Sequence, residues 1–160
     1  MRTPILDMLK TYADKTPLRF HMPGHKGNND GFFKDIFPFD ITELDFSDNL
    51  LQPDGVILQA QNMFANAVGA KNCFFVTNGS TCGVLALVAC SQGKLLVERA
   101  SHASVFNAID LFKKNAVVAN NRVENGKFCP ITLEQIKQCF ELHQDIKTIL
   151  LTSPNYYGEC

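Results

Sequence analysis

Apolar and polar positions along the chain change rhythm near residue 56. Before it, only one short stretch keeps a helical period: Ile5, Met8, Leu9 and Tyr12 recur on one face. Thr3-Pro4 starts that helix with a hydroxyl cap and a proline placed where its missing N–H does no harm. Residues 17–55 hold four prolines and four glycines and no sustained period. They predict a long irregular arm, and long ordered loops usually carry function or are pinned by a partner.

From residue 56 the pattern becomes regular. Ile57, Ala60, Phe64 and Val68 form one helix face, which Gly69 ends. Short apolar runs then alternate with helical stretches. The run "CFFVT" (73–77) precedes a helix over about 81–91, and "KLLVE" (94–98) precedes one over about 103–114, with Val105, Ile109 and Phe112 on its stripe. "AVVAN" (116–120) leads through a polar loop to "TLEQIKQCFELH" (132–143), opened by a Thr132-x-x-Gln135 capping box, and "IKTILLT" (146–152) closes the series. Strands alternating with helices predict an α/β fold, an α/β/α arrangement around a mostly parallel sheet. The domains expected are an N-terminal helix and arm over 1–55 and a sheet-bearing part over 56–160.

Two features suggest an incomplete domain. The helix over 82–90, "CGVLALVAC", is apolar on every side and needs cover on more than one face. The chain also stops just past the last strand, with no helix for that strand's second face. The isolated chain is therefore expected to expose apolar surface and to aggregate or dimerise.

Composition narrows the function classes. At 160 residues, with 46% apolar and 19% charged, the chain can bury a real core. A net charge of −1 without a basic block argues against nucleic acid and anionic membranes as partners. No apolar run approaches the roughly 20 residues needed to span a bilayer. Asp7 and Lys10 also interrupt the stretch where a signal peptide would be apolar, so a cytoplasmic location is expected. Six cysteines, at 73, 82, 90, 129, 139 and 160, have no C-x-x-C spacing and read as free thiols. No metal site is expected.

In an open parallel sheet, ligands bind beyond the carboxyl ends of the strands. "TNGST" (77–81) falls there, between a strand and a helix start whose free N–H groups and dipole favour an anion. Gly79 lets the backbone approach closely, and Ser80 and Thr81 add hydroxyl donors. A phosphate suits this set, although either hydroxyl also suits a plain helix cap. Neither the dinucleotide fingerprint nor the P-loop string occurs. His102, in "ERASHASV", lies in the next strand-end loop. Its imidazole can stack on a flat ligand or move protons, or its ring nitrogen can simply cap the turn. "TSPNYYG" brings Ser153, Asn155 and Tyr156 to a third loop, where turn chemistry is an equal explanation. In "FHMPGHKG" (20–27), His21 and His25 have helical zinc-ligand spacing, but Pro23-Gly24 breaks the helix. A tight turn presenting His25 and Lys26 fits better.

In order, "FHMPGHKG", "DITEL", "DNLLQPDGVI", "AQNMFANAVGAKNCFFVTNGST", "SHASVFNA" and "LLTSPNYYG" closely resemble one family. It is the ornithine/lysine/arginine decarboxylases, which use pyridoxal phosphate on the aspartate-aminotransferase fold (fold type I). The likeness runs from about residue 3 to the end and resembles the shorter members that lack an N-terminal wing domain. It implies that Gly79, Ser80 and Thr81 hold the cofactor phosphate, that His102 stacks on its pyridine ring, and that Asn155 lies among the cofactor-binding residues. It also implies a basic amino acid as substrate, an amine of the polyamine pathway as product, and a homodimer or higher homo-oligomer. The family pattern R-N-x-H-K-S has Ala100 and Ala103 at two of its places here, and Asn155 stands where threonine is common. The D-E-A-H-like strand end and the S-x-H-K motif with the Schiff-base lysine do not occur in the chain. The expectation is a fragment that is inactive by itself. The alternatives are another fold-type-I enzyme of aminotransferase type, a non-catalytic module for a phosphorylated ligand, and a relic that inserts into an intact paralogue.

Overall fold

The computed structural model describes residues 2–15, 17–28 and 30–160. The chain divides into two compact units, Met1–Phe75 and Val76–Cys160. The helix over 56–68 thus groups with the arm, whereas its sequence pattern joined it to the sheet.

The first unit contains α1 (Pro4–Asp14), a single 3-10 turn at Phe37–Phe39 and α2 (Val56–Val68). The expected hydroxyl cap of α1 is replaced by its acidic first turn: Thr3 has no capping bond to the backbone. Instead Asp7 reaches back, accepting from the Thr3 N–H at 3.0 Å and the Thr3 hydroxyl at 2.8 Å. Gly69 ends α2 in the left-handed conformation, as its position implied.

Asp48 starts α2 from a distance. Its own backbone is left-handed, at φ 70°. One carboxylate oxygen accepts from the N–H groups of Asn49 (2.8 Å) and Asp54 (3.0 Å). The other accepts from Gly55 (2.8 Å), Ile57 (2.9 Å) and Leu58 (3.4 Å), and so satisfies first-turn donors of the helix. Desolvation pushes this carboxyl up, but the N–H donors of Asp54, Asn49, Gly55 and Ile57 outweigh it and hold the group well below the usual carboxylate range. A lowered folded-state value stabilises the fold above the unfolded value of about 3.9 and loses that contribution as pH falls toward the folded one. Asp48→Asn is therefore expected to lower stability near neutral pH and to flatten its fall between about pH 5 and acid. Urea unfolding midpoints of both proteins across that range test this, and parallel pH curves would contradict it.

Residues 17–22 alternate. Arg19 and His21 are half-buried, whereas Leu18, Phe20 and Met22 stand 87%, 94% and 66% exposed.

The second unit holds the parallel sheet. β1 (Lys94–Glu98) lies between β2 (Ala116–Ala119) and β5 (Ile146–Leu150), in the order β2-β1-β5. Leu95 and Val97 point to the face packed by α3 (Gly79–Cys90) and α4 (Ala103–Leu111), with Val88, Val105 and Ala108 completing that core. Leu96 points to the other face, with Ala119, Ile146, Ile136 and Cys139, under α5 (Leu133–Leu142). The fold is α/β/α, as the alternation implied. The Thr132–Gln135 capping box closes both ways, at 2.9 and 3.3 Å.

Two expectations need correction, and a third is met. Residues 73–77 form no strand, because a strand needs a hydrogen-bonded neighbour and none pairs with them among the described residues; Phe74 is 79% exposed. The polar loop after β2 contains a hairpin, β3 (Val123–Glu124) and β4 (Lys127–Phe128), closed by Asn125-Gly126, both at positive φ. The apolar helix α3 is left partly uncovered, as its all-round apolar sequence implied: Val88 is buried and Leu87 is 68% exposed.

Candidate functional site

The carboxyl ends of β1, β2 and β5 converge on Glu98, the last residue of β1, which is 2% exposed. One Glu98 oxygen accepts from the Thr152 N–H at 2.7 Å, just past β5. The other accepts from the Asn121 side-chain amide at 2.9 Å, just past β2. Asn121, also buried, accepts from the Ala100 N–H (2.9 Å) and donates to the Cys129 carbonyl (2.9 Å). Against this node opens a cavity of about 440 Å³, lined among others by Ala100, His102, Phe128, Asn155 and Tyr156. Neither Glu98 nor Asn121 stood out in the sequence. The available signal was a carboxylate ending an apolar strand, at the depth where burial demands partners.

His102 lies on the cavity wall and at the N-cap of α4. Its Nδ1 accepts from the Ser104 N–H at 3.2 Å, with the Ser104 hydroxyl at 2.8 Å. A backbone N–H can only donate, so Nδ1 is the bare nitrogen and Nε2 carries the proton. The helix cap therefore holds the ring through Nδ1, and the same residue borders the cavity. The capping and ligand-facing readings are compatible. In the same loop Ser101 Oγ is buried without a hydrogen-bond partner.

Asn155 also borders the cavity, and its amide organises its own loop. Its oxygen accepts from Tyr157 N–H (2.9 Å) and Glu159 N–H (3.0 Å). Its nitrogen donates to the Glu159 carboxylate (2.9 Å) and the Phe128 carbonyl (3.3 Å). The tip of the side chain is thus fully engaged within the protein.

Gly79, Ser80 and Thr81 form the first turn of α3, outside the lining of that cavity. Asn78, at the N-cap position, makes no side-chain capping bond, so the first-turn N–H groups have no side-chain cap. Ser80 and Thr81 are exposed. Gly79 is left-handed at φ 72°, with open space where a Cβ would stand. This is a donor set for an anion.

"FHMPGHKG" lies in the first unit, with His21, Pro23, His25 and Gly27 half-buried and Phe20, Met22, Gly24 and Lys26 exposed. The tight turn exists, with Lys26 N–H to Pro23 carbonyl at 3.2 Å and Asn28 N–H to His25 carbonyl at 2.9 Å. His25 is not presented, however. It stacks on Phe37 with centroids 4.1 Å apart, accepts from Gly27 N–H at 3.0 Å and meets Asp40 at 3.1 Å. Lys26 donates to the His21 carbonyl at 2.5 Å, and His21 pairs with the Tyr12 hydroxyl at 2.7 Å. Arg19 clamps the 3-10 turn through the carbonyls of Phe37 (3.1 Å), Pro38 (2.5 Å) and Asp40 (3.3 Å). Gly27 makes room for it: φ is 73°, and a Cβ would stand 2.6 Å from the Arg19 guanidinium carbon. Gly27→Ala is expected to cost about 1–2 kcal/mol from the left-handed backbone alone, and more from the displaced clamp. In an Arg19→Ala background the second part should vanish, which a double-mutant cycle of unfolding free energies measures. Strict additivity would refute the clamp.

The model of the Orn/Lys/Arg decarboxylase major domain matches residues 3–160. The chain belongs to this family. Among its relatives, the uncharacterized protein YaaO of Bacillus subtilis is 37% identical, covering 99% of this chain and 35% of its own length. The arginine decarboxylase of Bacillus subtilis is 32% identical (98% and 34%), and that of Bacillus cereus is 30% identical (98% and 36%). The chain thus spans about a third of the length of the family relatives it matches. Among solved structures, the PLP-bound C-S lyase from Staphylococcus hominis aligns at a TM-score of 0.46 and 14% identity, over 97% of this chain and 34% of that one. Among the described residues no helix is long and apolar enough to cross a membrane.

Proposed function

We propose that this chain is part of a pyridoxal-phosphate-dependent decarboxylase acting on a basic amino acid, whose amine product feeds polyamine synthesis. The observation that carries the reading is the family match over residues 3–160. The named arginine decarboxylases among the relatives support the substrate class. The residues present also suit the cofactor chemically. The uncapped start of α3, with the Ser80 and Thr81 hydroxyls and open space beside Gly79, offers donors to a phosphate. The His102 ring, held by its Ser104 contacts, borders a cavity large enough for a pyridine ring. When bound, the cofactor supplies the electron sink that decarboxylation needs. Ser80, Thr81 and the Gly79 backbone would hold the phosphate and His102 would orient the ring, with Phe128 and Tyr156 on the cavity wall. The whole protein is proposed to work in the cytoplasm as a homodimer or higher homo-oligomer.

Titration with pyridoxal phosphate, followed by absorbance, and assay of carbon dioxide release from arginine, lysine and ornithine test this reading. The chain is expected to bind the cofactor reversibly and to release no carbon dioxide. Borohydride is expected to fix no cofactor to a single lysine, because no lysine here lies in an S-x-H-K motif. Failure to bind the cofactor would sink the cofactor assignment, and turnover or single-lysine trapping would sink the expectation of an inactive fragment.

A further inference from the structure

We infer that Glu98, acting with Asn121, is a positioning residue that holds the His102 loop and the Asn155 loop in one geometry around the strand-end cavity. Its consequence for ligand binding rests on the cofactor reading above. The parallel ladder from β1 to β5 ends at Val97 paired with Leu150. Beyond that point, besides Lys127 Nζ at 5.3 Å from the Tyr157 ring centroid, two side-chain hydrogen bonds tie residues 151–157 to the other loops. They are Thr152 N–H to Glu98 at 2.7 Å and the Asn155 amide to the Phe128 carbonyl at 3.3 Å. The loop carrying His102 is fixed by the Ala100 N–H on Asn121 at 2.9 Å, and Asn121 is in turn held by Glu98 at 2.9 Å. Two cavity-lining segments therefore meet on the two oxygens of one buried carboxylate.

The chemistry selects a carboxylate at this position. Both neighbours are donors, so each oxygen must accept. A glutamine would turn an NH2 group toward the Asn121 NH2. Flipping Asn121 would then set its amide nitrogen against the Ala100 N–H and its oxygen against the Cys129 carbonyl. A buried donor left facing a donor is costly, and the loops relax to find water instead.

Hydrogen exchange read by mass spectrometry on the whole chain, with and without pyridoxal phosphate, tests the inference. Glu98→Gln is expected to speed exchange about 10-fold in residues 99–104 and 151–158 and to weaken cofactor binding about 10-fold. Adding Asn121→Asp should recover part of both effects, since the new amide then finds an acceptor while the bond to the Cys129 carbonyl stays lost. Ile146→Val, a core change at the opposite end of β5, should lower the unfolding midpoint and move neither loop nor cofactor affinity. Unchanged exchange in 151–158 would overturn the inference, as would an equal loss of affinity in Ile146→Val. A wild-type chain that binds no cofactor, yet loosens both loops on Glu98→Gln, would support the positioning role and remove the cofactor reading instead.

Discussion

Replacing Ser80 and Thr81 together by alanine is expected to weaken pyridoxal phosphate binding by about 100-fold or more. A hydrogen bond to a charged group contributes roughly 1.5–3 kcal/mol, which is at least tenfold in affinity for each hydroxyl. Both side chains are exposed at the first turn of α3, so the fold should change by no more than about 0.5 kcal/mol. An absorbance titration beside a urea unfolding curve separates the two quantities. Retained affinity in the double variant would mean that the phosphate sits elsewhere, and a large fall in stability would mean that the hydroxyls serve the fold.

Leu96→Ala should have the largest effect on stability. Leu96 is fully buried on the central strand and packs with Ala119, Ile146, Ile136 and Cys139 beneath α5. Removing three carbons from such a place costs about 2–5 kcal/mol through lost transfer energy and the cavity left behind. That is a large share of the 5–15 kcal/mol typical of a domain. The same substitution at Leu87, which is 68% exposed on α3, should cost little. Urea midpoints of the two variants compare them directly, and similar losses would show that the core does not lie where the burial pattern places it.

Much of the second unit was legible from local rules alone. The runs 94–98, 116–120 and 146–152 became β1, β2 and β5, and the capping box at Thr132–Gln135 began α5 where the spacing put it. These elements carry their own signals: an apolar run bounded by turns, or a helix face with its cap. The failures were non-local. Residues 73–77 have strand composition, but a ladder is made with a neighbour, and composition does not say whether one is present. The Asn125-Gly126 turn was a readable hairpin signal masked by the polarity of the segment around it. At the candidate site, sequence order placed His102 and Asn155 at strand ends, and both border the cavity. The buried node of Glu98 and Asn121 was invisible, because it joins residues 23 apart through side-chain bonds that no period encodes. His25 is half-buried rather than presented, while Lys26 stays exposed, for a similar reason: their partners, Phe37, Asp40 and the His21 carbonyl, have no sequence signature.

The alternation over residues 17–22 sets how this segment meets its surroundings. One edge of the backbone is bolted down by Arg19 and His21, and the other carries Leu18, Phe20 and Met22 into solvent. A strip so arranged needs no refolding to become sticky. Its apolar side is held in place by the half-buried one, so its backbone has little further freedom to lose on burial of Leu18, Phe20 and Met22.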